Sequence, residues 1–169
     1  MGELYMKIRI FLLMFFVLVS CMFSAHSAFA SHNQQTDKLL AGATEPEGVV
    51  FEIISRRADY LDWAIPEVER LSRLLRKKYP QMPVAVVSHS REQFALTMAN
   101  KAVHKQTHAK VRSLVTEQDI PVHVCGVNAE RKGVSAKAFP DYVDVADSGP
   151  DQIGLYKQMG YEVIVITGH

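Results

Sequence analysis

"PVHVCGVNAERKG", residues 121–133, runs from a branched apolar segment through a cysteine and a glycine into a charged stretch. Branched residues ahead of a glycine predict a strand that stops where the chain turns away. In an α/β protein such a strand end lies at the mouth of a sheet, where ligands bind. Cys125 is the side chain delivered there. Two readings are open: a nucleophile presented at the sheet edge, or a small buried thiol that packs.

Working outward, four more apolar runs flank this one: "GVVFEII" (48–54), "VAVVSH" (84–89), "YVDVA" (142–146) and "YEVIVI" (161–166), with "IPVHVC" (120–125) as the third of five. They are continuous rather than alternating, as strands buried on both faces of a parallel sheet are. Helical patterns separate them. Pro66 suits a first turn, Val68, Leu71, Leu74 and Leu75 share one face, and basic residues from Arg73 to Lys78 favour the last turns. Residues 107–119 predict a helix capped by Thr107, with Val111, Leu114 and Val115 inward. Ser148 caps a third helix, with Pro150 in its first turn and Gly160 as its stop. Residues 90–106 predict a loop with a helical turn. This alternation implies a three-layer α/β/α domain with a five-stranded, mainly parallel sheet of the flavodoxin-like topology class.

The domain is expected over residues 48–169. Lys7 and Arg9 precede the apolar run Ile10–Val19, and Ala28-Phe29-Ala30 forms a small-residue cleavage motif. Residues 1–30 therefore predict a signal peptide, and the protein is expected to be periplasmic or secreted. A rival site, "LVSC" ending at Cys21, resembles a lipobox and would anchor the chain through a lipid on Cys21. Residues 31–47 are polar and punctuated by glycine and proline, and predict a flexible lead-in.

The chain has 169 residues with 19 basic and 18 acidic side chains; removing residues 1–30 leaves 17 of each. No basic patch stands out, so nucleic acid is not an expected partner, and no membrane contact is expected unless Cys21 is lipidated. Processing after Ala30 would leave Cys125 as the sole thiol, with no internal disulfide to make.

Cys125 would be activated by a nearby cation or a helix start, since the thiolate is the nucleophile. Asn128, Arg131 and Lys132 follow within a few residues and are candidates to support an anion, and His89, after the second strand, is a candidate proton carrier. His123 shares a strand face with Cys125, but neighbours two apart along a strand seldom meet for proton transfer; a hydrogen-bonded structural role is expected. His104 and His108 have the i, i+4 spacing of metal ligands without an intervening Glu or a third ligand, so no metal is expected. There is no Gly-rich phosphate loop, no G-x-S-x-G and no C-x-x-C, and no cofactor is expected.

The run "VHVCGVNAERKGVSAKAFPDYVDVADSGPDQIGLYKQMGYEVIVI", with "GVVFEII", the Trp63 segment and "VAVVSHS" before it, resembles the DsrE/DsrF-like sulfur-relay family across residues 48–166. The resemblance implies an α/β fold of parallel strands, assembly into trimers or hexamers, and a cysteine that holds sulfur as a persulfide. Carried over, that cysteine is Cys125, and the implied partners are sulfur donors and acceptors, proteins or small thiols. Relay members act in the cytoplasm, whereas this chain opens with an export signal. Against this stands a non-catalytic exported α/β module that binds a small ligand or partner, with Cys125 structural.

Overall fold

The computed structural model describes residues 30–168; the expected signal peptide and Cys21 lie outside the described residues. Five strands, β1 (Gly48–Ser55), β2 (Val84–Ser88), β3 (Val122–Cys125), β4 (Asp144–Ala146) and β5 (Tyr161–Gly168), form one sheet in the order β4-β3-β2-β1-β5. Every pairing is parallel. The expected class holds. Within it the order departs from the flavodoxin pattern, because β5 rather than β2 occupies the far side of β1.

Helices α1 (Ala30–Ala41), α2 (Leu61–Lys78), α3 (Lys105–Gln118), α4 (Gly126–Arg131) and α5 (Gly149–Gln158) complete the fold, with short 3-10 turns at Arg91–Leu96, Met98–Asn100 and Ala136–Ala138. From β1 to β4 the chain steps in one direction, and right-handed crossovers then place α2 and α3 on one face. The return from β4 to β5 runs the other way and puts α5 on the opposite face. Two clusters record this. Phe51, Val86, Val124 and Ile164 pack with Leu61, Leu75, Val111 and Leu114, while Val50, Ala85 and Val87 pack with Ile153 and Tyr156 of α5. Each fully buried side chain of this kind contributes about 1.5–3 kcal/mol relative to exposure.

Three local expectations change. Residues 31–47 are helical over most of their length: α1 buries His32 and Thr36 and lays Leu39 and Leu40 on the main core. Gln35 of α1 accepts a hydrogen bond from the Val165 N–H (2.9 Å), covering part of the β5 edge. Helix α2 begins at Leu61, so Pro66 lies inside it, and Leu74 is 39% exposed rather than inward. Helix α3 begins two residues before Thr107, whose hydroxyl is turned to donate to Asp62 instead of capping.

Candidate functional site

Ser88 is in register with Val124, so His89, the first residue past β2, follows Ser88 as Cys125 follows Val124 at the end of β3. Alternation turns both to the α5 side, since Val87 packs under α5 while Val124 belongs to the opposite cluster. Cys125 is the last residue of β3 and the cap position of α4, and it is 5% exposed.

Its backbone is held from the turn after β2. The Cys125 N–H donates to Gln93 Oε1 (2.9 Å), and Gln93 Nε2 donates to the Cys125 carbonyl (3.2 Å). Gln93 is fully buried and does for the end of β3 what a neighbouring strand would do. The adjacent Glu92 is also fully buried. Its Oε1 accepts from Ser88 Oγ (2.9 Å) and the Ser90 N–H (2.9 Å), and its Oε2 accepts from the Ser55 N–H (2.7 Å). One carboxylate thereby ties the end of β1 to the end of β2, and three donors offset its loss of water.

His89 stands just beyond β2, and its Nε2 lies 2.8 Å from Glu52 Oε1 of β1, both side chains being largely covered. On the other side the start of α5 closes in. A β-carbon added to Gly149 would lie 2.3 Å from His89 Cβ and 3.3 Å from Cys125 Cβ, so those two β-carbons are at most 5.6 Å apart. Only a glycine fits this notch. Ser148 caps α5 by accepting from the Asp151 N–H (3.4 Å), as its sequence implied, and the helix dipole favours negative charge near this end.

The other candidates go elsewhere. Asn128 Nδ2 donates to the Ser90 carbonyl (2.8 Å), tying α4 to the loop that carries His89. Lys132 lines an open groove of about 740 Å³ with Arg91, Phe94 and Val134, beside α4. Arg131 is exposed at the last residue of α4. His123 does share the α5 side, but its Nε2 lies 2.8 Å from the Tyr156 hydroxyl; burial pushes its pKa down against the pull of Asp144. His104 and His108 part company. His104 Nδ1 meets Asp62 (3.0 Å), whereas His108 spans the Tyr142 hydroxyl (2.6 Å) and the Ala95 carbonyl (3.0 Å), with its pKa lowered by burial. Among the described residues no group of His, Cys, Asp and Glu is arranged to hold a metal.

Three members of the site, Glu52, Gln93 and Gly149, were not anticipated from sequence. Glu52 offered one signal: a lone carboxylate inside the apolar run "GVVFEII".

No protein-family model and no curated protein matches the sequence. Solved structures do. Protein MTH1491 from Methanobacterium thermoautotrophicum, described as of unknown function, superposes with a TM-score of 0.55 at 20% identity, over 69% of this chain and 96% of its own. The ychN protein from E. coli superposes with a TM-score of 0.50 at 16% identity, over 72% and 99%. At these identities the likeness is one of fold.

Proposed function

We propose that this protein is a sulfur carrier that holds sulfane sulfur as a persulfide on Cys125 and yields it to an acceptor thiol. The observation that carries the reading is the setting of Cys125: a strand-end thiol whose backbone is clamped by Gln93 and whose side chain faces a histidine and the start of a ten-residue helix. A clamped backbone fixes where the sulfur sits, and the helix start favours the anion that the chemistry requires. The α/β fold shared with these neighbours is the one the DsrE/DsrF-like resemblance implies, and it is consistent with this kind of function.

The transfer balances without an external oxidant. The Cys125 thiolate attacks the outer sulfur of an organic persulfide, R–S–SH; a bond forms to Sγ as the bond to R–S breaks. R–S⁻ leaves with the electron pair and takes up the proton that Cys125 gave away. Delivery to an acceptor reverses these roles. We place the protein outside the cytoplasm, as a free or Cys21-lipidated chain, assembled as a homotrimer or hexamer, with donor and acceptor proteins or small thiols as partners.

The 5% exposure of Cys125 favours a second reading, in which the thiol only fills the space between β3 and α5 and the domain binds a partner by other residues. An intact-mass spectrum of the folded chain, before and after inorganic tetrasulfide, separates the two. Gain of sulfur atoms in the wild type and none in Cys125→Ser is the expected result. No gain in either, with Cys125 alkylated only after unfolding, would leave the packing reading in place.

A further inference from the structure

Three neighbouring strands present a carboxylate, an imidazole and a thiol in spatial order on one face: Glu52 on β1, His89 at the end of β2 and Cys125 at the end of β3. We propose that this is a proton relay in which His89 takes the Cys125 proton and Glu52 fixes the tautomer that allows it. The proposal rests on Cys125 being the reacting thiol and assigns the two residues that work it.

The ring's orientation carries the argument. A carboxylate can only accept, so in the neutral imidazole Nε2, 2.8 Å from Glu52 Oε1, must hold the hydrogen. Nδ1 is then the basic nitrogen. It is bonded to Cγ, the ring atom that would lie 3.0 Å from a β-carbon added to Gly149. A side chain at Gly149 would collide with His89 Cβ and press on Cys125 Cβ, which explains a glycine at the first position of a helix that is otherwise well capped. The pair is 15% and 19% exposed, dry enough for the ion pair formed on proton transfer to be worth more than at a surface.

The step moves one proton. Cys125 Sγ–H gives it to His89 Nδ1, leaving a thiolate and an imidazolium that faces the Glu52 carboxylate. When R–S⁻ departs, Nδ1–H returns the proton to it. No hydrogen bond joins Sγ to the ring in the resting chain, and catalytic contacts of this kind commonly close only when the reacting group arrives. Glu52 touches neither sulfur nor substrate and is a positioning residue.

The test is the alkylation rate of Cys125 by iodoacetamide in the folded full chain at neutral pH, followed on the Cys125 peptide. His89→Ala should slow it at least about tenfold, with added imidazole restoring part of the rate. Glu52→Gln, which keeps shape but can present an N–H to the ring and force the wrong tautomer, should slow it comparably, while Glu52→Asp retains more of the rate than Glu52→Gln. Nitrogen NMR of the wild-type ring should find the hydrogen on Nε2 and needs no variant to fold. A resting Nδ1–H tautomer, or wild-type alkylation rates in folded His89→Ala, overturns the relay. Sulfur loading that persists at full rate in both variants would sink the relay and leave the carrier standing. Slowed alkylation in a protein that never takes up sulfur would keep the relay and sink the carrier.

Discussion

Replacing Gln93 by methionine tests whether the strand end that presents Cys125 is held by a side chain. Methionine matches glutamine in length and in unbranched flexibility, so the change removes hydrogen bonding with little loss of volume. The Cys125 N–H then has no partner in a site with no access to water, which costs about 1–3 kcal/mol. The Cys125 carbonyl loses the Gln93 donor but remains positioned to accept from the first turn of α4, so its share is nearer 1 kcal/mol. Together these give a loss of about 2–4 kcal/mol. At roughly 3 °C per kcal/mol for a domain of this size, the thermal midpoint should fall by about 6–12 °C. Urea unfolding followed by tryptophan fluorescence measures it, with an unchanged denaturant slope confirming that compactness is preserved. Hydrogen exchange adds a local readout, because the Cys125 amide should lose protection ahead of the β1 amides. A Gln93→Met protein within 0.5 kcal/mol of wild type, with the Cys125 amide still protected, would mean that α4 and β4 hold the strand end unaided.

Two glycines of α5 should respond in opposite directions. Gly154→Ala places a methyl in open space within a helix and should stabilise the protein by about 0.5–1 kcal/mol, whereas Gly149→Ala drives a β-carbon to 2.3 Å from His89 Cβ and should destabilise it while displacing the imidazole; unfolding midpoints of the two variants settle the signs. Ser72 Oγ is buried in α2 without a hydrogen-bond partner, so Ser72→Ala should be neutral or stabilising by up to about 1 kcal/mol in the same assay. His108 and His123 have folded pKa values lowered by burial below the ordinary 6.5. The unfolded chain therefore binds protons first, and the stability these two contribute is full above pH 6.5 and declines as pH falls from 6.5 through the folded values. Urea midpoints measured from pH 7.5 to 5 should drop, and His108→Gln should flatten part of the slope.

The order of elements was legible because each strand is a short continuous apolar run, and a run of that kind has few places to be other than a covered parallel sheet. Strand adjacency was not, since nothing local in "YEVIVI" says that it returns beside β1 rather than continuing past β4. Helix α1 shows a second limit. His32, Thr36, Leu39 and Leu40 fall at i, i+4, i+7 and i+8, a helical stripe, but two of its four members count as polar in any binary reading and the segment passes for a loop. The site carries that limit to its extreme. Cys125 could be singled out because it closes a strand, and His89 because it follows one. Glu92 and Gln93 read as surface residues of a turn, yet both are fully buried, with the Ser55 and Ser90 amides and the Cys125 backbone as partners. A buried polar side chain is recognised in sequence by its partner, and most of the partners here are main-chain groups at strand ends. Main-chain groups are common to every sequence. No residue pattern names them, and they become visible only once the register of β2 against β3 is known.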